Sequence, residues 1–104
     1  MRLAAIALTA CIATTQPVER VDLGPAPPGP WAVLHDALAV CTHDLGIAGE
    51  IRVRIAIDPD GGAGAVSAGP DGDVLATCVG RSIARARFPR DHRGRTIEVP
   101  FVAG

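Results

Sequence analysis

Three cysteines carry the most reactive side chains of the chain, and two of them share one setting. Cys41 and Cys78 each lie in an apolar pattern of helical spacing. A catalytic or redox pair is disfavoured because the two residues are far apart in sequence and neither lies in a polar pattern. If the two helices pack on the same face of a sheet in an exported protein, we expect a disulfide. Two separate buried thiols are the alternative.

The third cysteine, Cys11, follows the pattern of an export signal. Arg2 precedes an apolar stretch that begins at Leu3, as in the basic and apolar regions of signal peptides. Residues 8–11, Leu-Thr-Ala-Cys, resemble the lipobox of bacterial lipoproteins. The resemblance implies a signal peptide over residues 1–10 and a diacylglycerol on the Cys11 sulfur. A conventional secretory signal cut nearby and a buried N-terminal helix are the alternatives.

Histidine–aspartate pairs suggest metal binding or catalysis, but their spacing argues against both. His35 and His43 are eight residues apart, about 80° around a helix, so they do not share one face. The acidic residues of two turn sequences are Asp58, Asp60, Asp71 and Asp73. These residues suggest calcium, but the turn sequences lack the later ligands of a calcium-binding EF-hand loop. We therefore expect no catalytic residue, no metal and no cofactor, and a small hydrolase using His35 and His43 is the least favoured function.

Composition excludes further classes of protein. The chain has 104 residues, a net charge of −1 and only 3% aromatic residues. One domain is expected at this length, and no basic excess favours nucleic acid as a partner. No apolar run reaches the roughly 18 residues of a membrane-spanning helix. If the chain is exported, disulfides are allowed.

The elements that would position the cysteines begin after a proline-rich segment. Five of the nine prolines fall within residues 12–30, which predicts an extended, mobile tether over residues 11–30. A folded domain is expected over residues 31–104. Its first helix is predicted by an apolar stripe that starts after Gly29-Pro30 and ends at Gly46. The stripe consists of Trp31, Leu34, Leu38, Cys41 and Leu45.

Two strands, a second helix and a last strand follow. Strict alternation over residues 50–58 predicts a half-buried strand, and a turn with Gly61 at positive φ leads into a weak strand over 62–68. Asp73 is expected to cap the second helix and Pro89 to end it. The last strand, Thr96 to Val102, contains Pro100, which belongs at a sheet edge.

The element order predicts an α+β fold of type α-β-β-α-β. Two helices would pack on one face of a three-stranded antiparallel sheet. The best-patterned strand, residues 50–58, would be central, and the strand containing Pro100 would be an edge. A sheet order of 2-1-3 satisfies both conditions.

These marks together resemble a known domain family. The resemblance rests on Cys41, the strand Gly49–Ile57, the turn Asp60-Gly61 and the short motifs Cys78-Val79, Phe88-Pro89 and Val99-Pro100-Phe101. In order and spacing they resemble the AgmX/PglI-type C-terminal domain, which is related to the TonB C-terminal domain. The resemblance implies a non-catalytic module of the periplasm that binds a protein partner. With the lipobox-like sequence, we expect it to be anchored to a membrane of the cell envelope, preferably the outer membrane. Because the chain shows no membrane helix, we expect a passive binding or scaffolding role.

TonB-type domains bind an extended segment by adding it to a sheet edge. We therefore expect the last strand to receive a partner, with Arg93 and Arg95 attracting an acidic segment. The inward side chains Ile97, Val99 and Phe101 would hold the strand on the core, so a partner would bind mainly to the backbone of this strand.

A cluster of arginines offers an alternative function. Residues 81–95 contain six arginines and only one acid, Asp91. The cluster Arg81–Arg95 would bind lipid head groups, cell-wall carboxylates or another protein. The alternative is a solvated surface that offsets acids elsewhere in the domain.

Overall fold

A computed structural model describes residues 17–69 and 72–104 of the chain. The predicted signal peptide, Cys11 and Asp71 lie outside these residues. The described elements are β1 (Val18–Arg20), α1 (Pro30–Leu45), β2 (Gly49–Ile57), β3 (Ala63–Ala68), α2 (Asp73–Ile83) and β4 (Arg95–Ala103). The predicted α+β class is confirmed, with two helices over one sheet.

Helix α1 has the boundaries that its sequence predicts. Pro30 lies in its first turn, and Gly46 ends it in the left-handed conformation at φ 68°. The Gly46 N–H donates to the carbonyls of Thr42 and His43, which closes the last turn. Most of the apolar stripe points into the core, where Leu34, Leu38 and Cys41 are fully buried, whereas Leu45 in the last turn is exposed.

Strand β2 lies inside the sheet, as its alternating pattern predicts. It pairs antiparallel with β3 on one side and with β4 on the other. Val53 and Ile55 face the helices and are fully buried. On the opposite face Arg54 is paired with Glu98 of β4 at 3.1 Å. The alternation of side chains therefore separates a core face from a charged open face.

The sheet has four strands in the order β1-β4-β2-β3 and is mixed, which corrects the prediction of three antiparallel strands. The additional strand, β1, runs parallel to β4 from the Val18–Thr96 pair to the Arg20–Glu98 pair. Three residues are too few for a periodic pattern, so this strand leaves no signal in the sequence. It is held by the apolar residues after it, because Val21 and Leu23 pack against the core.

Helix α2 differs from the prediction at both ends. Gly72 is the cap residue, without a side-chain cap bond, and Asp73 is the first helical residue. An acid in the first turn still interacts favourably with the helix dipole. The helix ends at Ile83, well before Pro89. After Ile83 the chain turns toward the β2–β3 turn, where Arg87 pairs with Gly62 and Phe88 is buried, and these contacts are incompatible with a longer helix.

Candidate functional site: the two edges of the sheet

The outer edge of β4 is partly occupied by the chain itself. The Val21 N–H donates to the Glu98 carbonyl at 3.0 Å, and β1 pairs with residues 96–98. The expectation of an open edge from Thr96 to Val102 is therefore wrong for its first half. Alternation places the backbone of Pro100 on the same side as that of Glu98. Proline has no N–H to donate, so pairing along this edge ends where the donor is missing.

The predicted partner-binding side chains of β4 take structural positions. Ile97 and Val99 are fully buried, and the Phe101 ring packs edge-to-face on His35 with centroids 5.8 Å apart. Arg93 is exposed and makes no ion pair within the described residues.

Arg95 differs from Arg93 because it contacts the protein itself. Its Nε lies 3.8 Å from the carboxylate of Glu19 on β1, and its guanidinium carbon lies 5.9 Å from the centroid of the Trp31 ring. These contacts connect β1, β4 and the start of α1. Arg95 is therefore placed to hold β1 in position.

The other edge of the sheet is β3, and it has different chemistry. No strand within residues 17–69 and 72–104 pairs with its outer side. Its sequence, Ala-Gly-Ala-Val-Ser-Ala, contains neither a charge nor a proline. Soluble proteins usually protect edge strands with charges, prolines or a covering segment. Within the described sheet the protected edge is thus β4, and the unprotected edge is β3.

The register shows which backbone groups of β3 face outward. The Asp58 N–H donates to the Gly62 carbonyl across the hairpin turn at 2.8 Å. Because backbone groups alternate in direction along a strand, those of Arg54 also face β3. Arg54 pairs with Ser67, so the backbone of Ser67 faces β2. Its neighbours Val66 and Ala68 must then present their backbone N–H groups to the outer side.

A groove of about 380 Å³ runs beside this edge, between β3 and α2. Its wall on β3 is formed by Gly64 and Val66, and its wall on α2 includes Ala76, Thr77 and Gly80. Small residues on both sides leave room for the side chains of an added strand. The sequence pattern did not single out these residues, because glycine and alanine mark the strand as weak. The signal that identifies them is the central position of β2, which leaves β3 at the edge.

The disulfide positions the helix wall of this groove. Cys41 of α1 and Cys78 of α2 are bonded, with their Cα atoms 5.9 Å apart. The predicted disulfide is confirmed, and it joins the two helices directly. Cys78 is adjacent to Thr77 of the groove, so the bond fixes this part of α2 against α1.

The histidines and aspartates are dispersed. His43 is 89% exposed and lies 3.5 Å from the adjacent Asp44, whereas His35 packs on Phe101. Asp60 accepts the Gly62 N–H at 3.0 Å and so forms the turn after β2. In the parts of the chain that the structure describes, no three His, Cys, Asp or Glu side chains converge as metal ligands would. Within the same parts, no helix is long and apolar enough to cross a membrane.

Comparison with known protein families, curated proteins and solved structures yields no match for this chain.

Proposed function

We propose that this protein is a non-catalytic interaction module of the bacterial cell envelope that binds an extended segment of a protein partner by strand addition. One observation carries the proposal: the sheet has one protected edge and one unprotected edge. Strand addition uses the backbone N–H and C=O groups of such an edge for affinity and adjacent pockets for specificity. Strand β3 offers outward-facing backbone and the groove against α2.

The resemblance to TonB-type C-terminal domains supports the same mode of binding. The proposal moves the site from β4 to β3, because β1 already pairs with residues 96–98 of β4. The open half of the β4 edge, after Pro100, is shorter and lacks one donor. It is therefore the weaker of the two places for an added strand.

Blocking the β3 edge should weaken partner binding strongly while preserving the fold. Val66→Pro removes a backbone donor that faces away from β2, a position at which edge strands tolerate proline. We expect about a tenfold loss of binding, because an unmade hydrogen bond costs roughly 1.4 kcal/mol. The measurement is photo-crosslinking in the cell envelope from a reactive residue at position 67.

Two variants make this test specific. Val66→Ala shortens the same side chain but keeps its N–H, so it should retain most of the crosslinking. A photo-reactive residue in place of Val40, which is exposed on α1, should give no reproducible crosslink to a partner. If Val66→Pro unfolds the domain, Ala68→Pro removes the next outward donor. Crosslinks that arise only from position 102 of β4, or that join two copies of this chain, would refute the proposal.

We further propose that the protein is a lipoprotein held at a membrane of the cell envelope, the outer membrane in preference, through a diacylglycerol on Cys11. The support is the lipobox-like sequence of residues 8–11. The lipid provides membrane attachment without a spanning helix.

Cys11→Ser should release the protein from the membrane or leave its signal uncleaved. Serine lacks the thiol that accepts the diacylglycerol, so no thioether can form. Intact-mass measurement of the protein from its native host should show a chain that begins at Cys11 and carries lipid. A soluble chain without lipid that begins at another residue would contradict the assignment.

A further inference from the structure

Four arginines of the cluster predicted from the sequence make no contact with an acidic side chain in the described part of the chain. Arg81 lies in the last turn of α2, and Arg85, Arg90 and Arg93 follow in the loop before β4; all four are exposed. Within the described residues none of the four forms an ion pair. Their charges are therefore available to an external anion.

The fold brings these arginines to one end of the domain. The chain after α2 returns to the β2–β3 turn, where Gly62 and Arg87 form a backbone bridge. Gly94 lies against the carbonyl of Ile57 at the end of β2. The loop of residues 84–94 thus covers the end of the sheet at which β4 begins. We call this surface, formed by Arg81, Arg85, Arg90 and Arg93, the arginine end.

The arginine end also carries acidic residues. The side chains of Asp58, Asp60 and Arg87 all lie within 4 Å of the place that a Cβ on Gly62 would take, so the two aspartates offset the charge of Arg87 and we leave Arg87 out of the surface. Asp91 accepts the backbone N–H of Arg93 at 3.0 Å and thereby shapes the loop. The four free arginines consequently outnumber the acids that face the same solvent.

The charges at the opposite end have the other sign. Asp44 lies at the end of α1, Glu50 at the start of β2 and Asp73 at the start of α2, and all three are exposed. These positions are separated from the arginine end by the length of the sheet. The domain is therefore polarised along its strands.

The polypeptide enters the domain at the arginine end. Strand β1 runs parallel to β4, and its first residue, Val18, pairs with Thr96 beside Arg95. Val18 is seven positions after Cys11, a distance of at most about 25 Å for an extended chain. A lipid on Cys11 would therefore hold the arginine end close to the bilayer and leave the acidic end facing away.

We infer that the arginine end is a docking surface for the anionic head groups of a lipid bilayer. The orientation rests on the proposed lipid anchor, but the binding of anionic lipid belongs to the folded domain alone. The diacylglycerol would attach the chain to the membrane, and a cluster of basic side chains is attracted to anionic head groups and would set which end of the domain faces the bilayer. Arginine suits this role because its planar guanidinium can bind two phosphate oxygens at once.

The test uses the full chain with Cys11→Ser, so that no lipid is attached. Partitioning is measured by sedimentation with vesicles of phosphatidylcholine containing about 30% anionic phosphatidylglycerol, which gives the surface a negative potential, and with vesicles of phosphatidylcholine alone. The variant Arg85→Gln/Arg90→Gln/Arg93→Gln removes three charges from the arginine end. We expect its partitioning to the anionic vesicles to fall about 100-fold at low salt, because each arginine near the surface contributes about fivefold.

A matched control removes three charges from the open face of the sheet instead, by Arg20→Gln/Arg52→Gln/Arg54→Gln. This variant should lose far less partitioning, although its net charge is the same. The N-terminal apolar residues are identical in all three proteins, so their own membrane affinity cancels in the comparison. Binding of the unsubstituted arginine end should weaken as salt rises, since exposed charges are screened.

Equal losses in both variants would overturn the inference, because net charge alone would then explain binding. It would also be overturned if no preference for the anionic vesicles appeared, or if the arginine end bound an acidic polypeptide but not vesicles. Failure of the proposed function is separately visible. Lipidation is read from intact mass and strand addition from crosslinking at position 67, and neither depends on the three arginines.

Discussion

Reduction of the Cys41–Cys78 disulfide should lower the free energy of unfolding by about 4 kcal/mol, as chain entropy predicts for a closed loop of about 38 residues. The two cysteines are 37 positions apart in the chain. Removing the cross-link lets the unfolded chain sample many more conformations, whereas the folded state changes little. A small domain has a total stability of about 5–15 kcal/mol, so this loss is a large part of it.

The measurement is urea denaturation of the Cys11→Ser protein with and without reductant. The double variant Cys41→Ala/Cys78→Ala serves as a second route to the same state. Cys41 is fully buried, so the double variant also removes packing, and the reduced protein separates that loss from the loss of the cross-link. Midpoints that agree to within a few tenths of a molar unit with and without reductant would show that the bond contributes nothing.

The disulfide also bears on the proposed binding site. Helix α2 packs on β3 and on α1, and its attachment to α1 passes through Cys78. When the bond is reduced, α2 is held only by buried side chains such as Leu75, Val79 and Ile83. Helix α2 should then separate from β3 more often, in local openings that occur before the sheet unfolds. Crosslinking from position 67 should accordingly weaken under reducing conditions.

Much of the fold follows from the periodicity of the sequence. The stripe that contains Leu34, Leu38 and Cys41 sets the buried face of α1, and the alternation through Val53 and Ile55 sets the core face of β2. The disulfide follows from the same patterns, because both cysteines point from their helices into one core. These features are predictable because many residues repeat the same signal.

The features that the sequence did not predict depend on single contacts between distant residues. Strand β1 is three residues long, and its place beside β4 is set by Val21, Leu23 and the Glu19–Arg95 pair. None of these contacts has a local pattern. The unprotected edge was missed for the same reason, since Pro100 marks β4 as an edge strand but does not show which segment lies beyond it. Strand β1 lies outside the predicted domain, and because it covers part of the β4 edge, β3 is the unprotected edge.

The arginines illustrate a further limit. Sequence spacing shows that six of them lie within residues 81–95, but only the fold separates their roles. Arg95 contacts Trp31 and Glu19, and Arg87 lies beside the aspartates of the β2–β3 turn. The remaining four make no ion pair within the described residues, and three of them lie on the loop of residues 84–94, which is held against the end of the sheet. One of the contacts that hold this loop is made at Gly61, whose carbonyl accepts the Phe88 N–H.

Gly61→Ala should destabilise the domain by about 3 kcal/mol or more. Gly61 has φ 93°, a conformation that costs an L-residue roughly 1–2 kcal/mol. In addition, a Cβ atom at this position would lie 2.2 Å from the backbone carbonyl oxygen of Phe88. Relieving that overlap requires movement of the main chain, and forced overpacking costs about a further 1–3 kcal/mol. Denaturant unfolding of the two proteins measures the difference.

Gly46→Ala provides the control for backbone strain. Gly46 has φ 68°, but no atom lies within 4 Å of the place that a Cβ would take there, so only the conformational cost of about 1–2 kcal/mol applies. The difference between the two variants therefore isolates the contact with Phe88. That contact includes a bond of 2.8 Å from the Phe88 N–H to the Gly61 carbonyl, which fixes the start of the arginine-bearing loop.

The same variant also tests whether the arginine end is a defined surface. Phe88 is buried and packs edge-to-face on Trp31, with ring centroids 5.0 Å apart. If Gly61→Ala displaces Phe88, the loop that carries Arg90 and Arg93 must move with it, and partitioning to anionic vesicles should fall although no charge is lost. Equal stability losses in Gly61→Ala and Gly46→Ala would mean that the turn and the loop adjust without cost. The contact between Gly61 and Phe88 would then not fix the loop, and the position of Arg90 and Arg93 would depend on the Phe88–Trp31 packing and the Gly62–Arg87 bridge instead.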